Sequence, residues 1–203
     1  MAARSGVAYD PGEPGPHRAG FTQGSSMGWK RLSRRVVFEN DWMQVFEDHV
    51  RNPGGGENLY GHVHFKNTAV AILPVDEDNN TWLVGQSRYT LDDYSWELPM
   101  GGAPPGEPPL EAARRELREE TGLSAKEWTE LLRLHPSNSF TDERGIAFLA
   151  TGLTCGATDF DETEDLAVRK LSIDEAVQMV FDGQITDAIS AATLMRYQLS
   201  RGT

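Results

Sequence analysis

A chain of 203 residues with 38% apolar content has room for one domain of ordinary size with a proper core, and not for two large ones. Its 19 Lys and Arg against 31 Asp and Glu give a formal charge of -12, which argues against nonspecific nucleic-acid binding, since that needs a positive field to displace counterions. No run of about 18 apolar residues occurs, no apolar stretch follows Arg4, and the single cysteine, Cys155, excludes an intrachain disulfide and a cysteine zinc cluster, so the expectation is a cytoplasmic protein with neither membrane nor nucleic acid as partner.

Residues 1–26 hold five Gly and three Pro without apolar periodicity, the composition of a disordered extension, and "MGWKRL" from Met27 reads as an alternative start. Short runs of mostly alternating character follow: "RVVF" at 35–38, "MQVFEDHV" at 43–50, "LYGHVHF" at 59–65, "AVAILPV" at 69–75 and "TWLVGQSRY" at 81–89. The turn-rich "RNPGGGEN" and "DEDNN" separate some of them, so strands and hairpins are expected, with the fully apolar Val70–Leu73 as a central strand covered on both faces. Residues 108–121 switch to helical period: Leu110, Ala113 and Leu117 line one side, Pro108 and Pro109 fit the first turn, and Gly122 fits the stop. Beyond it, "ELLRLH", "GIAFLATGL" and "DLAVRKL" read as strands. "SIDEAVQMVFDG" reads as a helix opened by a Ser172/Glu175 capping box and closed by Gly183, and a last helix is expected over 186–199. The expected domains are an N-terminal extension 1–27, a β-region 28–65 and a mixed α/β domain 66–203.

Glu116, Glu119 and Glu120 fall on one side of the 108–121 helix, opposite its apolar face. Arg114, Arg115 and Arg118 could make that face an ordinary salt-bridged surface, whereas a hard cation would make it a site, because Mg²⁺ prefers carboxylate oxygens and keeps waters to reach phosphate. The spacing separates the two readings. Gly101, five residues, Glu107, seven residues, then Arg115-Glu116-Leu117-x-Glu119-Glu120-x-Gly122-Leu123 fit the pattern G-x5-E-x7-R-E-U-x-E-E-x-G-U at every position. Seven fixed residues at set spacing arise by chance on the order of once in a million chains of this size.

On these residues the chain resembles the Nudix hydrolase superfamily from about residue 60 onward. The resemblance implies a three-layer α/β/α sandwich with a mixed sheet, preceded here by a small antiparallel β-region, and Mg²⁺-dependent (Mn²⁺ also suits) hydrolysis of a nucleoside diphosphate linked to another moiety. It implies Glu116, Glu119, Glu120 and the main-chain carbonyl of Met100 as metal ligands, with Arg115 holding the glutamates and Gly101 and Gly102 letting the loop pass close to the metals. Upstream, "GQSRYTLDDYSWELPMGG" is similar to the ADP-ribose and nucleotide-sugar pyrophosphatase branch through Gln86, Arg88, Tyr89, Trp96, Glu97 and Pro99.

Within that branch Arg88 and Glu97 are expected to bind substrate, the one through a planar fork and the other by accepting from sugar hydroxyls or a metal-bound water. Trp42 or Phe38 are candidates to stack on the base, with core packing as the alternative for both. The N-terminal strands are expected to reach a second subunit, giving a homodimer. The general base is expected outside the box, at Glu162 or Glu164 in "DFDETEDLAV", with Glu143 in "NSFTDERG" as the alternative. Pro136-Ser137 departs from the Pro-Gly pair common in ADP-ribose enzymes, which favours a nucleotide sugar, with Ser137, Asn138 and Ser139 bonding its hydroxyls. His62 and His64 share a strand face and read as a solvent or dimer face rather than a metal pair. Two other functions compete: a nucleoside triphosphate or oxidised-nucleotide pyrophosphohydrolase, and a nucleotide-sugar sensor without turnover.

Overall fold

The computed structural model describes residues 28–156 and 166–201; the expectations for residues 1–27, Glu162 and Glu164 lie outside the described residues. Strands β1 (Lys30–Glu39), β2 (Met43–Arg51) and β3 (Glu57–Phe65) form an antiparallel sheet in that order. Asn40 turns the first hairpin: its Oδ1 accepts from the amides of Trp42 and Met43, both at 2.9 Å, the local bonding that makes Asn a turn residue. Strand β2 alternates as half-buried strands do, with Phe46, Asp48 and Val50 inward, while every residue of β1 is exposed.

The rest of the chain forms β4 (Thr68–Pro74), β5 (Asn80–Arg88), β6 (Asp93–Glu97), β7 (Met100–Ala103), α1 (Pro109–Thr121), β8 (Leu123–Leu134), β9 (Gly145–Cys155), β10 (Ala167–Ser172), α2 (Ile173–Phe181) and α3 (Ala188–Arg201). One sheet runs β7-β4-β9-β8 and is mixed, β4 lying parallel to β9; a second, antiparallel one runs β10-β5-β6. Val70–Leu73 is the central strand that its composition predicts, with all four side chains fully buried. Its alternation divides the core. Val70 and Ile72 pack with Ala112, Ala113 and Leu117 of α1, Ala71 packs with Ala147 and Ile189, and Leu73 joins the side chains of α2 and α3. Helices therefore cover both faces, the layering of the expected sandwich.

Helix punctuation follows the sequence. Pro109 opens α1, and Gly122 closes it in the left-handed region at φ 70°, its amide donating to the Arg118 carbonyl. The Ser172/Glu175 capping box forms in both directions at α2. The last helix starts two residues later than expected because Asp187 caps it, accepting from the Ser190 amide at 2.7 Å. "WELPMGG", which has no apolar alternation, contains the end of β6 and most of β7, so the segment crosses from one sheet to the other.

Candidate active site

The three α1 glutamates occupy three different surroundings. Glu116 points at β7 so closely that a Cβ on Gly101 would overlap its carboxylate, which is a direct reason for glycine there. Glu120 is 4% exposed, and its Oε2 accepts from the Met100 amide at 2.9 Å, tying the helix to the start of β7. Arg115 Nη1 donates to Glu116 at 2.7 Å and to Glu119 at 3.0 Å, while Nη2 reaches the Gly102 carbonyl at 3.1 Å and Glu107 at 3.4 Å. Burial alone would lower the Arg115 guanidinium, but Glu107, Glu116 and Glu119 outweigh it and hold it well above its ordinary value. Glu107, which the sequence pattern places before the helix, thus meets it through Arg115.

The donors gathered on this face are carboxylate and carbonyl oxygens, the set that suits a hard divalent cation. Among the described residues, no three His, Cys, Asp or Glu side chains stand close enough to hold a metal ion together. Arg115 lies between Glu116 and Glu119 and supplies the positive charge there. The oxygen set and the glycine cradle fit a cation on the condition that Glu116 and Glu119 turn away from that guanidinium.

Arg88 and Glu97 pair diagonally along the β5–β6 hairpin, in which Arg88 lies opposite Asp93 and Glu97 opposite Val84. The Arg88 Nε donates to Glu97 Oε1 at 2.8 Å and Nη2 to Oε2, a two-pronged pair in which Glu97 is 3% exposed. The Glu97 carboxylate raises the Arg88 guanidinium above its ordinary value against the opposing effect of burial, and Asp187 and Glu120 add to it. The same neighbourhood holds Glu143, whose carboxyl is pushed up by burial and by the nearby Asp187 charge.

A cavity of about 430 Å³ opens between the N-terminal sheet and the loop before β9. Trp29, Tyr60 and Phe140 give it apolar walls, and Asp48 gives it a buried polar one. Arg34 grips Asp48 with two bonds of 2.7 Å and lies over the Phe46 ring at 4.0 Å. His62 Nε2 is 3.1 Å from Asp48, whereas His64 Nδ1 is 2.6 Å from Asp142, so the two histidines serve separate carboxylates. The loop is fastened to β3: the Val63 amide donates to the Phe140 carbonyl at 2.8 Å, the Asp142 amide to Val63 at 3.2 Å, and the Tyr60 hydroxyl to Ser139.

Asn138 and Ser139 line this cavity, whereas the Ser137 carbonyl is engaged in the turn, accepting from the amide and hydroxyl of Thr141. Trp42 is 67% and Phe38 50% exposed, so the core-packing alternative fails for both: β1 and its turn have no layer of described residues over them. Trp29, Asp48, Tyr60 and Asp187 are the residues that sequence reading missed. The Asp187-x-x-Ser190 cap is a signal that could have found the last; Asp48 and Tyr60 look like ordinary strand residues, and Trp29 like the residue leading into β1, until β3 meets the loop.

Comparisons with known proteins agree with this geometry. The NUDIX domain profile matches residues 65–189, and that of the nucleoside diphosphate sugar hydrolase N-terminal domain matches residues 29–63. The chain is 40% identical over 171 residues to an ADP-ribose pyrophosphatase of Mycobacterium tuberculosis, covering 82% of each chain. It is 30% identical over 176 residues to an ADP-ribose pyrophosphatase of Bacillus subtilis, covering 86% of this chain and 95% of that one. A solved ADP compounds hydrolase superposes with a TM-score of 0.78 at 22% identity, over 88% of this chain and 96% of that one, a likeness of fold.

Proposed function

The chain belongs to the NUDIX hydrolases, and on that premise we propose that it splits the diphosphate bond of ADP-ribose, or of a closely related nucleoside diphosphate sugar, into nucleoside monophosphate and sugar phosphate with Mg²⁺. The observation that carries this reading is the arrangement around Gly101, where a missing side chain admits Glu116 to the edge of β7 beside Glu120 and Met100. Glu116, Glu119, Glu120 and the Met100 carbonyl would hold the cation, with Mn²⁺ as a substitute. A cation bound there would supply charge neutralisation of the diphosphate and make a nearby water easier to deprotonate.

The chain's own groups divide the remaining work. Arg88 offers its fork to a phosphate once Glu97 yields part of its pair, and Glu97 accepts from a sugar hydroxyl or the attacking water. Trp29, Tyr60 and Phe140 frame a cavity sized for a flat base and its ribose, and Asn138 with Ser139 offers polar contacts at its rim. Trp42, exposed at the turn between β1 and β2, is available to stack on a base. The general base is Glu162 or Glu164; Glu143 is the second reading, favoured by a carboxyl that burial and the Asp187 charge raise above its ordinary value. The exposure of Val36, Val37 and Phe38 on strand β1 supports a homodimer, and the single cysteine supports a cytoplasmic setting. The similarity to ADP-ribose pyrophosphatases outweighs the Ser137 departure as a guide to the first substrate to try.

The experiment is chromatographic detection of nucleoside monophosphate, the signal, from ADP-ribose, ADP-glucose, UDP-glucose, GDP-mannose and ATP, with Mg²⁺ and with EDTA. The expected result is Mg²⁺-dependent signal on ADP-ribose, with AMP and ribose phosphate formed in equal amounts. Signal on ATP alone would move the reading to a triphosphate hydrolase, and silence throughout would move it to a sensor.

A further inference from the structure

The two-residue link Leu98-Pro99 carries the chain from β6, in one sheet, to β7, in another. Each end delivers a group to the candidate site: Glu97, paired with Arg88, precedes the link, and Met100, whose amide meets Glu120, follows it. Pro99 has no amide hydrogen, so Leu98 provides the only backbone donor in the link. That donor goes to a side chain from a distant part of the sequence, the hydroxyl of Ser190 on α3, at 2.9 Å. The Pro99 carbonyl is taken by the Ile72 amide of β4 at 2.8 Å. Leu98 and Ser190 are both fully buried, so no water replaces the bond. Ser190 is itself fixed, since its amide donates to the Asp187 cap at 2.7 Å.

From this geometry we infer that Ser190 is a positioning residue of the active site, setting the place of Glu97 and Met100 together through the Leu98 amide. The inference rests on the hydrolase reading for its effect on turnover, and on the hydrogen bond alone for its effect on the link. Thr193 supplies an internal control. It is equally buried and on the same helix, but its hydroxyl donates to the Ile189 carbonyl at 2.6 Å, a bond inside α3 that does not reach the link.

The experiment compares Ser190→Ala, Ser190→Cys, Ser190→Thr and Thr193→Val in the full chain, reading melting temperature, amide exchange at Leu98, and kcat and KM on ADP-ribose. Ser190→Ala and Thr193→Val should lose similar thermal stability. Only the Ser190 variants without a hydroxyl should exchange faster at Leu98 and lose about tenfold to a hundredfold in kcat, as misplacement of reacting groups by about an ångström does. Ser190→Thr should recover both. If Ser190→Ala does not fold, the near-isosteric Ser190→Cys carries the comparison. Unchanged exchange at Leu98 in a folded variant overturns the anchor, and faster exchange with the kcat of Thr193→Val overturns the positioning role. Absence of turnover in the unsubstituted chain counts against the hydrolase reading, while Leu98 exchange still decides the anchor.

Discussion

Val36, Val37 and Phe38 in β1 are 48%, 54% and 50% exposed, whereas Val70, Ile72 and Leu73 in β4 are fully buried. The two segments have much the same apolar chemistry. What separates them is neighbours: β4 has a strand on each side and helices on both faces, while β1 is the edge of a three-stranded sheet. Burial is conferred by the layers that close over a strand and not by the strand's composition, so a run of apolar residues in a sequence marks a surface to be covered without saying by what. In β4 the cover comes from the same chain; in β1 the proposed second copy provides it.

Substitutions sharpen that contrast. Ile72→Ala should cost about 2 to 5 kcal/mol, the range for truncating a fully buried aliphatic side chain, as read by denaturant unfolding. Glu120→Gln should leave the fold intact, since the amide oxygen can still accept from Met100, yet lower kcat by about two orders of magnitude or more, because a charge of the proposed metal set is gone. Retained turnover in that variant would remove Glu120 from the metal set. Gly101→Ala puts a methyl group where the Glu116 carboxylate lies; the flexible side chain moves aside, so kcat/KM should fall about tenfold or more with little change in melting temperature.

The N-terminal sheet should respond to acid. Its Arg34 holds the Asp48 carboxyl below the ordinary carboxylate range, with His62 assisting against the opposing effect of burial. A carboxyl depressed in the folded state contributes stability that is fully present above its unfolded pKa and is lost as pH falls through the folded value. The window therefore lies below about pH 4 and the effect is about 1 kcal/mol, since Arg34 keeps some contact with water. Melting temperatures at pH 6 and pH 3 should differ less in Asp48→Asn than in the unsubstituted chain. Smallest of all, Val37→Asp should shift monomer stability by less than about 0.5 kcal/mol, the usual bound for an exposed site. It should nonetheless shift sedimentation from dimer to monomer; an unchanged sedimentation coefficient would leave β1 without its proposed cover.

The glutamate helix was legible because it combines a 3.6-residue period, proline and glycine punctuation and fixed spacing within one continuous segment. Arg88 and Glu97 were legible as residue types, but their pairing depends on the β5–β6 register, which places Arg88 opposite Asp93 and Val84 opposite Glu97. Ser190 was not legible in its role, since its partner Leu98 lies 92 positions away and nothing local marks the contact. Asp48 and Tyr60 were hidden for the same reason: each looks like an alternating strand residue, and only the closure of the loop at 138–142 onto β3 turns them into walls of a cavity. Local patterns carried the secondary structure and the acidic cluster, and long-range packing decided what surrounds them.

The parallel pairing of β4 with β9 joins residue 69 to residue 145, with β5, β6, β7, α1 and β8 looped out between them. During synthesis the most apolar strand of the protein emerges early and waits for the ribosome to deliver β9 before both of its edges are satisfied. Over that interval Val70–Leu73 has one edge open to mispairing with other nascent chains. The charged α1 is made within the same interval, after β7 has supplied one edge partner and ahead of β9, and its apolar side is the first helix face able to shield Val70 and Ile72, which gives the helix of the glutamates a part in folding beside its proposed one in catalysis.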